Sequence, residues 1–560
     1  MAIYKVVNTD KLNADLKTIA DAIRTKGGTT EELVFPAGFT TAVEGIKVGG
    51  DVDTSSKSTK SINFRDYDGT LLYSYTKDEA LALTSMPDLP TQPGLICQGW
   101  NYSLDNMQSY VAKYGACDIG AIYITDDGKT RLYIKLTEGR TSPVIGLCPN
   151  GTVTIDWGDG TTPDTLTGTS TSSVKWTSNH NYPAPGEYII TLTVSGSMGF
   201  YGKKDAQYGS AILRYSQNTD YRNYVYRSSL QKIELGSGIT SIDGYAFYYC
   251  YALSNITIPE GVTNIGDSAF QSCACLSNIV IPESITSIGV NVFNGCYSLS
   301  HITIPESVTS IGQNAFASCY VLANIDMPES VTRIGNGAFG YCYSLSQITI
   351  PEGVTRIGSS MFSNCYTLVN IDIPEGVTSF GSSVFNYCYS LPHITIPEGV
   401  TSIDSSTFFN CKSLRNIIIP EGVTSIGSNA FSSCASLLNI IIPEGVTSIS
   451  DSTFSNCHAL VNIDIPEGVT SIGNSAFYAC NCLANINIPE NVTSIGSQAF
   501  YNCRSLASIT LNSTTPPVLS ATSAFSSIAA DCVFYVPNEA LAEYQTATNW
   551  SSFADQMQGY

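Results

Sequence analysis

Twelve cysteines fall at even steps of 23 residues, from Cys250, Cys273 and Cys296 through to Cys503, and a phenylalanine stands three places before each, from Phe247 to Phe500. Self-similarity at such a period predicts a solenoid, in which one short unit is stacked on copies of itself and each coil packs only on its neighbours. A typical unit runs from Cys296 to Phe316. Leu299, Ile302 and Ile304 belong to one short strand, and Val308 and Ile311 form a second inward-facing segment after a turn at Pro305-Glu306. Phe316 and Cys319 close the coil. A file of thiols inside a coil needs no oxidation, and free cysteine is readily buried, so these residues read as reduced and structural. The other six cysteines (Cys97, Cys117, Cys148, Cys275, Cys482 and Cys532) form no close CxxC pairs with histidine partners, so no zinc site is expected.

A chain of 560 residues is too long for one ordinary core, so several domains are expected. With 27 basic and 47 acidic residues the net charge is −20, which leaves no basic footprint for nucleic acid. Only 13% of residues are charged while Ser, Thr, Asn, Gly and Tyr abound, a surface suited to hydrogen bonding with neutral partners such as glycans. No basic segment leading into an apolar run follows Met1, and no stretch of about 18 apolar residues occurs. The expectation is synthesis in the cytoplasm without a signal peptide, and no membrane insertion.

Along the chain the predicted class is multidomain and mainly β. Residues 1–50 read as a short helical attachment module, with Leu12, Leu16, Ile19 and Ile23 at helical spacing. Residues 51–60 read as a linker. Residues 61–149 form a small α+β domain, with a helix from Leu104 to Tyr114 and a hairpin turning at Asp126-Asp127-Gly128. Residues 150–228 form a β-sandwich and connector, 229–512 the twelve regular coils, and 513–560 a C-terminal cap, since the end of a solenoid exposes a raw apolar coil.

Three resemblances sharpen these readings. The turn Asp156-Trp157-Gly158-Asp159-Gly160 and the later Tyr182-Pro183-Ala184-Pro185-Gly186-Glu187-Tyr188 resemble the PKD family, which implies an immunoglobulin-like sandwich with Trp157 in its core. The repeat resembles the BspA-like branch of leucine-rich repeats, and residues 513–560 the tail that often ends such arrays. The stretch Ala20 to Thr30, with Phe35-Pro36-Ala37-Gly38-Phe39, resembles a leader module on structural proteins of phages and prophages of gut Firmicutes. BspA-like repeats imply adhesion, and the leader implies assembly into a particle released by lysis.

Chemistry-bearing constellations are sparse. Asp66-Tyr67-Asp68-Gly69-Thr70 matches the D-x-D-G-T nucleophile motif of haloacid dehalogenase-type phosphatases, but the surrounding domain is too short for their sheet, and an Asp-Gly turn between strands is the simpler reading. Asp156, Asp159 and Asp164 could offer carboxylates to calcium, although they lack the alternation of a dedicated loop. His301 and His393 share a repeat position but lie four coils apart. No catalytic residue, metal site or cofactor is therefore assigned.

The variable repeat positions point elsewhere. The place after the ladder cysteine holds Tyr297, Tyr320, Tyr343, Tyr366 and Tyr389 in five successive coils, with Tyr341 and Tyr387 close by. Tyrosine offers a flat apolar face and a hydroxyl at low entropy cost, which suits recognition. Stacking of the rings on each other would equally stabilise a solenoid, and is the simpler reading. A second candidate face is the exposed strand position, which carries Asp326, Asp372 and Asp464 with an apolar window at Ile418 and Ile441.

The function expected is a non-enzymatic phage tail-fibre or receptor-binding-type virion protein. Its solenoid would meet a host cell-surface glycan or protein, residues 1–50 would join it to other tail proteins, and self-association is left open. A BspA-like adhesin on a bacterial cell surface is the alternative, and a D-x-D-G-T phosphatase a remote one.

Overall fold

The computed structural model describes residues 62–139, 141–169, 176–201, 213–215 and 229–560. The helical module at 1–50 and the linker at 51–60 lie outside the described residues. The architecture is mainly β, with a β-solenoid of about 14 turns and few helices. The chain falls into two units, one comprising the residues up to Thr309 with Ser318–Pro328, the other Ser310–Ala317 with Glu329–Tyr560.

The first unit begins with β1 (Ile62–Arg65), β2 (Leu71–Tyr75), α1 (Lys77–Leu81), β3 (Leu95–Trp100), α2 (Leu104–Tyr114) and β4 (Cys117–Thr125). The four strands pair in the order β2-β1-β4-β3. Thr76 and Glu79 close a capping box on α1, and α2 stops at Gly115, whose φ of 79° no side chain favours. Ile62, Phe64, Met107, Val111 and Ile119 form the core between sheet and helices.

The expected hairpin at Asp126-Asp127-Gly128 does not form. Both edges of β4 are already taken by β1 and β3, so β5 (Thr130–Leu136) leaves for a second sheet, where it pairs with later strands. Its buried Leu132, Ile134 and Leu136 alternate as read from the sequence. Next come β6 (Pro143–Asp156), β7 (Asp164–Thr169), β8 (Trp176–Asn179), β9 (Gly186–Phe200), β10 (Leu213–Tyr215) and β11 (Leu230–Glu234). The long β6 and β9 run antiparallel from Leu147↔Phe200 to Asp156↔Thr191, and β6 crosses the boundary expected at residue 149. Strand β11 pairs antiparallel with β5 on one side and parallel with the first solenoid strand, Asn255–Thr257, on the other. This second sheet thereby continues without a break into the ladder of the first coils.

Most coils place two short parallel strands, and a few reduce one of them to a single bridge, as at Thr303↔Asp326. One carries the Asn-Ile pattern, as in Asn439–Ile441 paired with Asn462–Asp464, and the other the Ser-Ile pattern, as in Ser471–Ile472 paired with Ser494–Ile495. The ladder phenylalanines are wholly buried, and from Phe316 to Phe500 successive rings stack with centroids 5.1–5.8 Å apart. The cysteines have a specific role: Cys411 Sγ donates to the Phe385 carbonyl of the preceding coil at 3.2 Å, and Cys388, Cys434 and Cys457 repeat the contact. A thiol is small and apolar enough for the core, yet can donate weakly to a carbonyl. Burial pushes the Cys388 and Cys434 thiols well up, so they stay protonated.

Stacking runs beyond the twelve regular repeats. Phe525 lies 5.3 Å from Phe500 in the same file, and Val533–Val536 and Met557–Gly559 extend the parallel ladder. Within the C-terminal cap, Leu541–Thr546 is α-helical and is flanked by 3-10 turns at Asn538–Ala540 and Trp550–Gln556.

Candidate functional site

The tyrosine file is a stack. In the first unit Tyr297 and Tyr320 lie 4.6 Å apart at 20°. In the second, Tyr343 stacks on Tyr366 at 4.7 Å and 7°, and Tyr366 on Tyr389 at 5.0 Å and 22°. Lys412 then places its Nζ 4.4 Å from the Tyr389 ring centre. The broad ring faces of this second run are thus largely taken by neighbouring groups. Burial, then the neighbouring tyrosines, push the Tyr366 phenol up, and its hydroxyl donates to Asn364 Oδ1 at 3.4 Å. What the file offers a ligand is chiefly its edge.

Tyr341 and Tyr387 stand apart from the file. Each immediately precedes a ladder cysteine, a place that is left-handed in all twelve coils. Most coils put Asn, Ser or Gly there, as at Asn364, Asn410 and Gly295, residues that accept the conformation readily. Tyr341 holds φ at 63° and Tyr387 at 60°, a strained choice for a bulky side chain that costs about 1 kcal/mol each. Their rings meet the file edge-on, Tyr341 to Tyr343 at 72° and Tyr387 to Tyr389 at 86°. Tyr341 remains 47% exposed. The tyrosines are visible in the sequence, and the Asn, Ser and Gly at the same place in other coils were the signal for the left-handed backbone.

The second candidate face is divided between the units. In the first unit, β4 lies over the strand position that holds Val280, Thr303 and Asp326. Gly120 faces Val280, and a side chain there would collide with it. Asn278 Nδ2 donates to the Tyr67 carbonyl at 2.9 Å, Tyr102 Oη to the Ile304 carbonyl at 3.0 Å, and the Asp118 backbone N–H to Asp326 Oδ2 at 3.1 Å. Desolvation, then the Asp118 charge, push the Asp326 carboxyl up to about 7. Asp326 is therefore part of an internal interface and is withdrawn from the exposed strip. In the second unit the same register position is open. Ile418 is 81% and Ile441 76% exposed, with Asp372 and Asp464 also exposed.

The remaining constellations are structural turns. Asp66 is buried; its Oδ1 accepts from the Tyr123 hydroxyl at 2.7 Å and from the Tyr67 N–H, and its Oδ2 accepts from Gln92. Asp68 caps the Thr70 N–H at 2.9 Å. A carboxylate so enclosed is poorly placed for in-line attack on phosphorus. Trp157 donates to Asp164 Oδ2 at 3.1 Å, Asp156 caps Gly158, and Asp159 accepts from Thr161 and contacts His180 at 2.7 Å. Desolvation opposes ionisation of Asp159, but the Thr161 and His180 hydrogen bonds outweigh it and hold the carboxyl at about 2. Among the described residues no group of three or more potential ligands converges on a metal position. Among them, too, no helix is long and apolar enough to cross a membrane.

The BspA type leucine rich repeat region matches in six copies, over residues 219–345, 309–438 and 401–529. Among solved structures, a leucine-rich repeat protein from Bacteroides ovatus is 26% identical, covering 65% of this chain and 96% of its own, with a TM-score of 0.49. A leucine rich cell surface protein from Faecalibacterium prausnitzii is 27% identical over 56% of this chain and 94% of its own, with a TM-score of 0.34. The T. pallidum leucine rich repeat protein is 34% identical over 27% of this chain and 72% of its own, with a TM-score of 0.27. Comparison with curated proteins gives no match. The matched repeat segments take in more than half of the sequence, and the chain belongs to the BspA-type leucine-rich-repeat family.

Proposed function

We propose that this chain is a non-enzymatic recognition protein of a phage tail, with its solenoid as the surface that meets a host-cell glycan or protein. The observation that carries recognition is the contrast within an otherwise uniform repeat. The inward residues barely vary, whereas the outer positions carry large exposed side chains such as Tyr341, Ile418 and Ile441. Side chains of this kind are the usual anchors of binding surfaces. The phage setting is supported by the leader-like stretch within residues 1–50, which would join other tail proteins, with the PKD-like segment 150–228 as a spacer. Many copies on one particle would bind by avidity, so each contact could be weak.

The repeat family itself favours a second reading, an adhesin displayed on a bacterial surface. The two differ in where the protein is found. Mass spectrometry of purified virions is expected to contain the chain, and its presence only in bacterial envelope fractions would select the adhesin. For recognition, the full-length protein is expected to label gut bacterial cells and a subset of a glycan array. Absence of both signals would overturn the reading.

A further inference from the structure

We infer that Tyr341 and Tyr387 form a two-ring platform for an extended, neutral, β-1,4-linked polysaccharide lying along the stacking direction of the coils. This deepens the recognition reading and rests on it. The first support is strain: both residues hold a left-handed backbone that Asn364, between them, and Asn410, just beyond, accept more easily. Strain at a bulky residue persists where something else is gained. Tyr249 shares the strain but packs its ring on Tyr248 and Tyr251, so its gain is internal. Tyr341, with an edge contact to Tyr343 and 47% of the residue exposed, gains little from packing, so the strain argument rests on it. Tyr387 also meets Phe409 edge-on at 5.4 Å and is partly exposed, and it enters the platform through its orientation and spacing.

Ring orientation is the second support. The Tyr343, Tyr366 and Tyr389 rings stack along the coil direction, so their planes lie across it. Tyr341 and Tyr387 stand nearly perpendicular to those rings, so their planes run along it. Both planes thus contain the stack direction, the orientation that a chain running parallel to the stack requires of each ring.

Spacing is the third. Tyr341 N–H donates to the Ser363 carbonyl, Asn364 to Asn386 and Tyr387 to Phe409, so coils at this place follow one another in register. Two coils separate the tyrosines by about 10 Å, twice the spacing of paired strands. That is close to the distance between a sugar ring and the next but one in an extended β-1,4-linked chain, in which every second ring presents the same face, so a trisaccharide is the shortest piece that reaches both tyrosines. Asn364 lies midway, its Nδ2 on Ser363 Oγ at 2.9 Å and its Oδ1 accepting from Tyr366, among polar groups that the intervening sugar can meet. The net charge of −20 disfavours an anionic polysaccharide and leaves neutral sugars as the fitting class.

The test is calorimetric titration of the full-length protein with cellohexaose and chitohexaose, with maltohexaose as the curved α-linked control. At least one β-1,4 hexasaccharide is expected to bind, and its disaccharide far more weakly because it cannot span both rings. Tyr341→Asn and Tyr387→Asn are each expected to weaken binding about tenfold, with the pair abolishing it. Because asparagine suits this backbone, the double variant should melt no lower than the parent, which separates lost binding from lost fold. Unchanged affinity in the double variant, equal binding of maltohexaose, or no binding of either β-1,4 hexasaccharide would overturn the platform. If the parent then still labels cells or an array, recognition stands and only the platform falls. If it labels neither, both fall.

Discussion

At the scale of single residues, the cysteine ladder shows how one side chain can be required for reasons other than its reactivity. Cys411 is wholly buried and spans two coils through its contact with the Phe385 carbonyl. Removing its sulfur in Cys411→Ala leaves a small void and an unmet carbonyl lone pair. A loss of about 1 kcal/mol is expected in urea unfolding. A reductant should leave the parent's melting temperature unchanged, since the ladder acts through thiols, and a fall of several degrees would contradict that role. Exposed Cys482 should react with a thiol reagent well before the buried ladder does. The even spacing made burial of these residues legible from the sequence. The thiol's carbonyl partner was not, because it lies 26 residues away, one coil and three places back.

Among the structural elements, the sequence was readable wherever a signal was local or repeated, and misleading where edges compete. The helix at Leu104–Tyr114 and the alternation in Thr130–Leu136 are local, and both stand where their patterns put them. Asp126-Asp127-Gly128 is also a genuine turn signal, but a turn does not say whether the strand before it has a free edge. The docking of β4 on the early coils was equally hidden, because Gly120 and Val280 meet although they are 160 residues apart in sequence. That docking should depend on pH. Asp326 faces β4 with Asp118 beside it; Arg65 pairs with Asp118 at 3.0 Å, and His301, Glu306, Tyr102, Tyr110 and Cys117 lie around it. Its carboxyl titrates near 7 when docked and near 4 when free, so the docked state holds the extra proton between those values. Docking contributes most below about pH 4 and weakens as pH rises through about 7, by at most about 1.4 kcal/mol per unit. Hydrogen exchange in Cys117–Thr125 should therefore be faster at pH 8 than at pH 5 after correction for intrinsic rates. Asp326→Asn should flatten the difference, and an unchanged difference in that variant would assign the effect to another group.

For the molecule as a whole, stacked repeats make stability a sum of local and nearest-neighbour terms, so an injury should stay where it is made. The C-terminal end offers the sharpest case. Trp550 is buried, donates its Nε1–H to the Pro517 carbonyl at 2.7 Å, and contacts the rings of Phe525, Phe534 and Tyr544. Through Phe525 it covers the last phenylalanine of the regular file, Phe500. Trp550→Ala should cost the closing coils about 3–5 kcal/mol, a large-to-small loss with an orphaned carbonyl added. In a globular core of one cooperative unit that loss would raise hydrogen exchange everywhere. Here it should raise exchange in Ser508–Leu511, Val533–Val536 and Met557–Gly559 while leaving Phe339 and Phe362 protected as before. The two tyrosines of the platform sit six or more coils from the injury, so polysaccharide binding should survive it. Uniform loss of protection, or loss of binding together with the cap, would mean that the coils unfold as one body and that the repeat is not the unit of stability.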